Sequence, residues 1–231
     1  MDASIYQSGE YLDNNPDWHA SDARVKAGWI SAILQRNGIV PKTLVEIGCG
    51  SGEILVHLAD TFPATRIFGY DISPQACRIS ATKATDRLTF REGDYLREPI
   101  IPTDLLMAID VFEHVEDYMA FIRAMQPRAT LKLFHIPLDL SVQGLLRGNA
   151  IPKARKTLGH LHYFCKESAL ATLQDCGYEI VDWNYTFGTE ELPNRALRTR
   201  LFNYTRKALR LVSTDFAVRL TGGASMMVMA R

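Results

Sequence analysis

Several things are scarce in this sequence, and each shortage excludes a class of protein. Charge of one sign is absent: 26 Lys and Arg face 26 Asp and Glu, for a formal net charge of zero. That excludes a strongly basic domain built around nucleic-acid phosphates, so no nucleic-acid partner is expected. No apolar run approaches the roughly 20 residues that a transmembrane helix needs. The opening residues, Met-Asp-Ala-Ser-Ile-Tyr-Gln, lack the apolar centre of a secretory signal, which makes the cytoplasm the expected compartment. Cysteine is sparse too. Cys49, Cys77, Cys165 and Cys176 form no C-x-x-C pair and no Cys/His cluster at zinc spacing. All four are expected to be reduced packing residues, and no metal is expected. Repeats and low-complexity linkers are missing as well.

What is present is 231 residues with 47% hydrophobic and 23% charged side chains, enough for one α/β domain with a full core. Helical and strand patterns alternate along it. Trp18, Val25, Trp29, Ile33 and Leu34 recur at helical spacing, and Gly38 stops that helix. Strands are expected at 43–47, 66–70, 88–91, 104–109, 130–136, 178–187 and 225–230. Helices are expected from about 53 to 62, after the Ser73-Pro74 cap, over 115–125, over 166–175 and over 194–220. The stretch from 137 to 165 shows no clear periodicity, and a long loop of that kind is usually functional or mobile. The whole of 1–231 is expected to be a single α/β domain: a mostly parallel sheet with helices on both faces, a helical cap at 1–38 and a helical insertion at 194–220 before the last strand.

The most informative stretch is 44–52, Leu-Val-Glu-Ile-Gly-Cys-Gly-Ser-Gly. An apolar strand runs into three alternating glycines and then a helix, so bare backbone amides face a ligand at a helix N-terminus. A dinucleotide fingerprint, G-x-G-x-x-G, would need glycine at 53, which is Glu53; this speaks against a nicotinamide-dependent oxidoreductase. The spacing G-x-G-x-G with Glu46 upstream instead resembles the first motif of class I S-adenosylmethionine-dependent methyltransferases. Residues 110–114, Asp-Val-Phe-Glu-His, resemble the D-V-x-E-H segment of small-molecule members, and no N-P-P-Y or D-P-P-Y run is present.

The resemblance covers about 40–135 and extends weakly to His160 and Phe164. It implies a Rossmann-like seven-stranded sheet in the order 3-2-1-4-5-7-6, with the last strand antiparallel, and S-adenosylmethionine as cofactor. The turn of Gly48, Cys49, Gly50 and Gly52 would receive the methionine carboxylate. Asp71, next to Ile72, would accept hydrogen bonds from the ribose hydroxyls; capping of the following helix is its plainer alternative. Asp94 would meet the adenine amino group with Tyr95 near the ring, Asp110 and Val111 would line the methionine end, and Glu113 and His114 would wall the acceptor side.

A hydroxyl acceptor must lose its proton, and histidine is the usual agent near neutral pH. Among the six histidines, His160 is the first candidate base and His135 the second, with His162 beside them; a structural role is the alternative for each. Tyr11 and Trp18 lie in a segment that could fold over the cofactor. Asp22 and Lys26 have the spacing of a solvated helix pair. Arg195, Arg198, Arg200, Arg206, Lys207 and Arg210 make 195–212 a basic amphipathic stretch, suited to peripheral contact with an anionic membrane or to packing on the sheet with its charges in water. The expected function is methyl transfer to a small-molecule or sugar acceptor, on oxygen. A module that binds the cofactor without turnover is the alternative.

Overall fold

A computed structural model describes residues 20–188 and 197–231. Tyr11 and Trp18, with the first residues of the expected 194–220 insertion, lie outside the described residues. The elements follow in the order α1 (Ala20–Arg36), β1 (Thr43–Ile47), α2 (Glu53–Thr61), β2 (Arg66–Asp71), α3 (Pro74–Ala81), β3 (Leu88–Glu92), β4 (Thr103–Ile109), α4 (Tyr118–Met125), β5 (Ala129–Pro137), α5 (Val142–Leu146), α6 (Ala150–Leu158), α7 (Lys166–Asp175), β6 (Ile180–Thr186), α8 (Leu197–Val212), α9 (Thr214–Thr221) and β7 (Ser225–Ala230).

The seven strands form one sheet in the order β3-β2-β1-β4-β5-β7-β6. The pairs from β3 to β5 are parallel, and β7 runs antiparallel to β5 and β6. This is the arrangement the resemblance implies. Central strands are apolar on both faces because helices cover both. Val45, Leu106, Ala108, Phe134 and Val228 pack into one core with Ile122, Leu173 and Val218 of α4, α7 and α9. Their neighbours Leu44, Leu105, Met107, Leu133 and Met227 pack into the other with Ile30, Leu34, Leu55 and Leu58 of α1 and α2. Strand order reverses between β1 and β4, so the carboxyl ends of these two strands open the crevice where ligands of such sheets bind.

Capping corrects several expected boundaries. The helix expected over 115–125 begins at Tyr118, because the Asp117 carboxylate accepts from the Ala120 amide at 3.1 Å, and residues 112–114 form a separate 3₁₀ turn. The 137–165 stretch is not a plain loop. It holds α5, capped by the Ser141 hydroxyl, and α6, ended by Gly159 in the left-handed region (φ 79°). The late helical stretch is two helices, because Ser213 is extended (φ −161°) and accepts from the Phe216 amide to start α9. Among the described residues, no helix is long and apolar enough to cross a membrane.

Candidate active site

A cavity of about 700 Å³ opens over the carboxyl ends of β1, β2, β4 and β5, within the roughly 300–1,000 Å³ typical of small-molecule sites. Its first wall is the turn after β1. Gly48, Gly50 and Gly52 all have φ in the left-handed region, at 73°, 55° and 80°. At Gly48 a Cβ would meet Val111 Cγ2 at 2.8 Å, so the turn can sit against the β4 end only without a side chain. The Asp71 carboxylate ties this turn to the next one. One oxygen accepts from the Gly50 amide at 2.8 Å and the other from the Ser73 amide at 2.8 Å. Burial pushes the Asp71 carboxyl up, against the pull of those donors.

Glu46 lies beneath the turn with 1% of its surface exposed. One of its oxygens has no hydrogen-bond partner. Burial raises its pKa to about 8, with Lys26 opposing and Asp71 and Asp110 adding to the rise. Ile72, Asp94, Asp110 and Val111 complete this side. Asp94 also caps a 3₁₀ turn by accepting from the Leu96 amide at 2.9 Å.

Asp110 holds the centre. It is a non-glycine residue with positive φ (54°), a conformation aspartate tolerates better than most. Lys26 Nζ lies 2.7 Å from one carboxylate oxygen and His135 Nδ1 2.6 Å from the other. Burial would raise the Asp110 carboxyl, but His135 and Lys26 outweigh it and hold it below the usual carboxylate range. The Lys26 ammonium is correspondingly pushed up, because Asp110 outweighs the loss of hydration. The solvated pair expected of Lys26 with Asp22 is therefore corrected: α1 lies over the strand ends and delivers Lys26 to Asp110. Trp29, one turn further along, stacks on the His135 ring at 5.7 Å.

The far wall gathers residues distant in sequence. His160 Nδ1 lies 2.6 Å from an Asp139 carboxylate oxygen. His114 Nδ1 lies 3.1 Å from the Gly159 carbonyl, and the two imidazole rings meet edge to face at 5.0 Å. Glu113 is completely buried, and neither carboxylate oxygen has a hydrogen-bond partner. Burial pushes its carboxyl well up, and Asp110 adds to the rise. Among the described residues, the buried carboxylate oxygens without partners belong to Glu46 and Glu113, and both residues line this cavity.

Three expected site residues sit elsewhere. Tyr95 is in the core, against Tyr70 at 4.9 Å and under the Arg128 guanidinium, and Leu96 lines the cavity in its place. Gly52 faces the Phe90 ring, which a Cβ would meet at 2.5 Å, so it serves packing behind the turn. His162 points away: its Nε2 donates to the Val115 and Glu116 carbonyls at 2.9 and 3.1 Å. His135 lines the cavity, but Asp110 and the Thr186 hydroxyl (2.8 Å from Nε2) engage both its nitrogens, which leaves it poorly placed as a base. The sequence reading missed Lys26, Trp29, Asp139 and Arg206 as lining residues. Lys26 and Trp29 share a helix face three residues apart, and Asp139 is an acid just past a strand end, so both signals were present. Arg206 of the basic stretch folds inward to the Thr221 carbonyl at 3.0 Å, and Arg210 lies over Phe187 at 3.9 Å, so these two charges do not sit in open water.

Residues 45–130 match the profile of a family described as a methyltransferase domain. The strand order and the glycine turn point the same way as that match. The chain resembles the class I S-adenosylmethionine-dependent methyltransferases over this segment. It is 35% identical to norajmaline N-methyltransferase of Rauvolfia serpentina over 58% of this chain and 47% of that protein. The chain thus spans about half the length of that relative. Its structure resembles magnesium protoporphyrin IX methyltransferase from Synechocystis PCC 6803, solved with bound SAH, at a TM-score of 0.60 and 18% identity, over 90% of this chain and 82% of that one. It also resembles the [4+2]-cyclase SpnF at a TM-score of 0.60 and 18% identity, over 89% and 80%. The residues fit S-adenosylmethionine. The bare turn gives amides to a carboxylate, while the orphaned Glu46 oxygen and the carboxylates of Asp71, Asp94 and Asp110 suit ammonium, hydroxyl and amino groups and would repel a pyrophosphate.

Proposed function

We propose that this chain is a methyltransferase that transfers a methyl group to an oxygen of a small-molecule or sugar acceptor in the cytoplasm. S-adenosylmethionine, when bound, supplies a methyl group already activated by the sulfonium, so the chain's task is alignment and activation of the acceptor. The turn at 48–50 would hold the methionine carboxylate, Glu46 its ammonium, Asp71 the ribose hydroxyls and Asp94 the adenine edge. Asp110, fixed by Lys26 and His135, would line the methionine end.

The observation that carries the oxygen reading is the Glu113, His114 and His160 cluster in the same cavity, with Asp139 behind His160. Asp139 accepts from His160 Nδ1 and so leaves the Nε2 lone pair toward the cluster, the orientation that activation of a hydroxyl requires. An amine acceptor would need only to arrive neutral. Nitrogen is the second reading, favoured by the likeness to an N-methyltransferase. The four free cysteines agree with a reducing compartment. Incubation of the protein with S-adenosylmethionine and matched hydroxyl and amine acceptors, with mass detection of the products, tests the reading. O-methyl products whose yield collapses in His160→Ala support it; N-methyl products alone, or turnover indifferent to that substitution, would sink it.

A further inference from the structure

The Glu113 carboxylate is the unexplained group in this site. A fully buried acid whose two oxygens both lack a hydrogen-bond partner calls for a ligand that supplies what the protein does not. Its surroundings indicate which ligand. One ligand atom each from Glu113, His114 and His160 lie within 4.8 Å of one another, and all three residues are buried. Both histidines are oriented from behind. A backbone carbonyl can only accept, so His114 carries its proton on Nδ1 toward Gly159 at 3.1 Å. His160 likewise donates from Nδ1 to Asp139 at 2.6 Å. In the neutral imidazoles both lone pairs are then on Nε2, and His114 Nε2 lies 3.9 Å from Glu113 Oε1.

We infer that Glu113, His114 and His160 bind a divalent first-row cation of the zinc type on the acceptor side of the cavity. Two imidazoles with one carboxylate suit zinc, cobalt, iron or manganese and disfavour magnesium and calcium, which prefer all-oxygen shells. Three protein ligands leave a position open to the cavity, the pattern of a catalytic rather than a structural site. Asp139 and the Gly159 carbonyl are the supporting partners that metal-bound histidines ordinarily have. Bonds of about 2.1 Å at tetrahedral angles place ligand atoms roughly 3.4 Å apart, so the 3.9 Å pair needs to close by only about half an ångström. The charges agree as well: Glu113 and Asp139 together balance one dication. The cluster is invisible to zinc-motif spacing because Glu113 and His114 meet His160 only through the fold. This inference deepens the proposed function and rests on it for one point, that the open position receives the acceptor oxygen. With a cation present, His160 Nε2 is a ligand and the cation makes the bound hydroxyl more acidic.

The test uses the full chain, freed of any affinity tag, stripped with a chelator and titrated with Co²⁺ and Zn²⁺, with Mg²⁺ as the comparison. Binding is read by metal analysis after dialysis and by the visible absorption of Co²⁺. One Co²⁺ or Zn²⁺ per chain is expected, weakened about tenfold or more in Glu113→Gln and in Asp139→Asn, while affinity for S-adenosylhomocysteine is retained as the check on folding. No stoichiometric uptake, or uptake unchanged in both variants, overturns the inference. Methyl transfer by a chain that takes up no cation overturns the cation and leaves the proposed function standing. Stoichiometric cation binding without transfer to any acceptor supports the site and counts against the function.

Discussion

At the strand-end side of the cavity, Glu46, the turn at 48–50, Asp71 and Asp94 present backbone amides and acids at or just past strand ends. At the far side, Glu113, His114, Asp139 and His160 come from three separate segments, and side chains face the cavity there, with His114 anchored on the Gly159 carbonyl and His160 on the Asp139 carboxylate. The first wall is local. A short run of sequence fixes its shape, and an added Cβ at Gly48 would collide with Val111. The second wall exists only because α5 and α6 fold the 137–165 segment back over the end of β4. Under the proposed function, the contrast separates two tasks: holding a cofactor that many enzymes share, and selecting an acceptor that few do. It also gives the two walls different sensitivities, which substitutions can expose.

The largest effect is expected at the far wall. His160→Ala should lower turnover by about 10²–10⁴-fold while affinity for S-adenosylhomocysteine, measured by calorimetry, stays within about twofold; joint loss of both would dissolve the division between the walls. Gly52→Val should act on folding. Its φ of 80° and a Cβ 2.5 Å from the Phe90 ring combine a left-handed strain of about 1–2 kcal/mol with overpacking of about 1–3 kcal/mol. Urea unfolding should show a loss of about 2–5 kcal/mol, and an unchanged midpoint would mean that the turn tolerates side chains.

Glu46 links the near wall to pH. Its pKa is about 8 in the fold against 4.5 in the unfolded chain. Above pH 4.5 the unfolded state has therefore released a proton that the folded state keeps. The stabilisation is complete below that pH and is lost as pH rises toward 8, by up to about 1.4 kcal/mol per pH unit. Glu46→Gln removes this contribution, so the variant should gain on the parent steadily across pH 5–8 in denaturant titrations; parallel curves would disprove the assignment. Asp71→Ala should weaken S-adenosylhomocysteine by about 1–3 kcal/mol, and a full-affinity variant would remove the ribose from Asp71. The smallest effect belongs to His162→Gln. Its Nε2 serves backbone carbonyls outside the cavity, and turnover should stay within about twofold.

Much of the near wall was legible before any fold was known. Strands β1 and β7 and helix α7 have the expected bounds, and Gly48, Gly50, Asp71, Ile72, Asp94, Asp110 and Val111 all line the cavity. Tyr95 went astray because an aromatic beside a ligand and one in a core look alike in sequence; only its neighbours Tyr70 and Arg128 distinguish them. Lys26 went astray because i,i+4 charge spacing describes a helix without saying what covers it. Asp139 was passed over because short helices with weak patterns hid how the 137–165 segment folds.

By itself, the sequence determined the alternation of strands and helices and a glycine turn whose spacing departs from the dinucleotide fingerprint. Those features depend on neighbours a few residues apart, through backbone sterics and periodic burial. Tertiary structure alone decided that Lys26 neutralises Asp110, that His135 is fully engaged, and that Glu113, His114 and His160 converge in front of Asp139. Electrostatic interactions fall off with distance through space, and distance along the chain sets no limit on which charges meet.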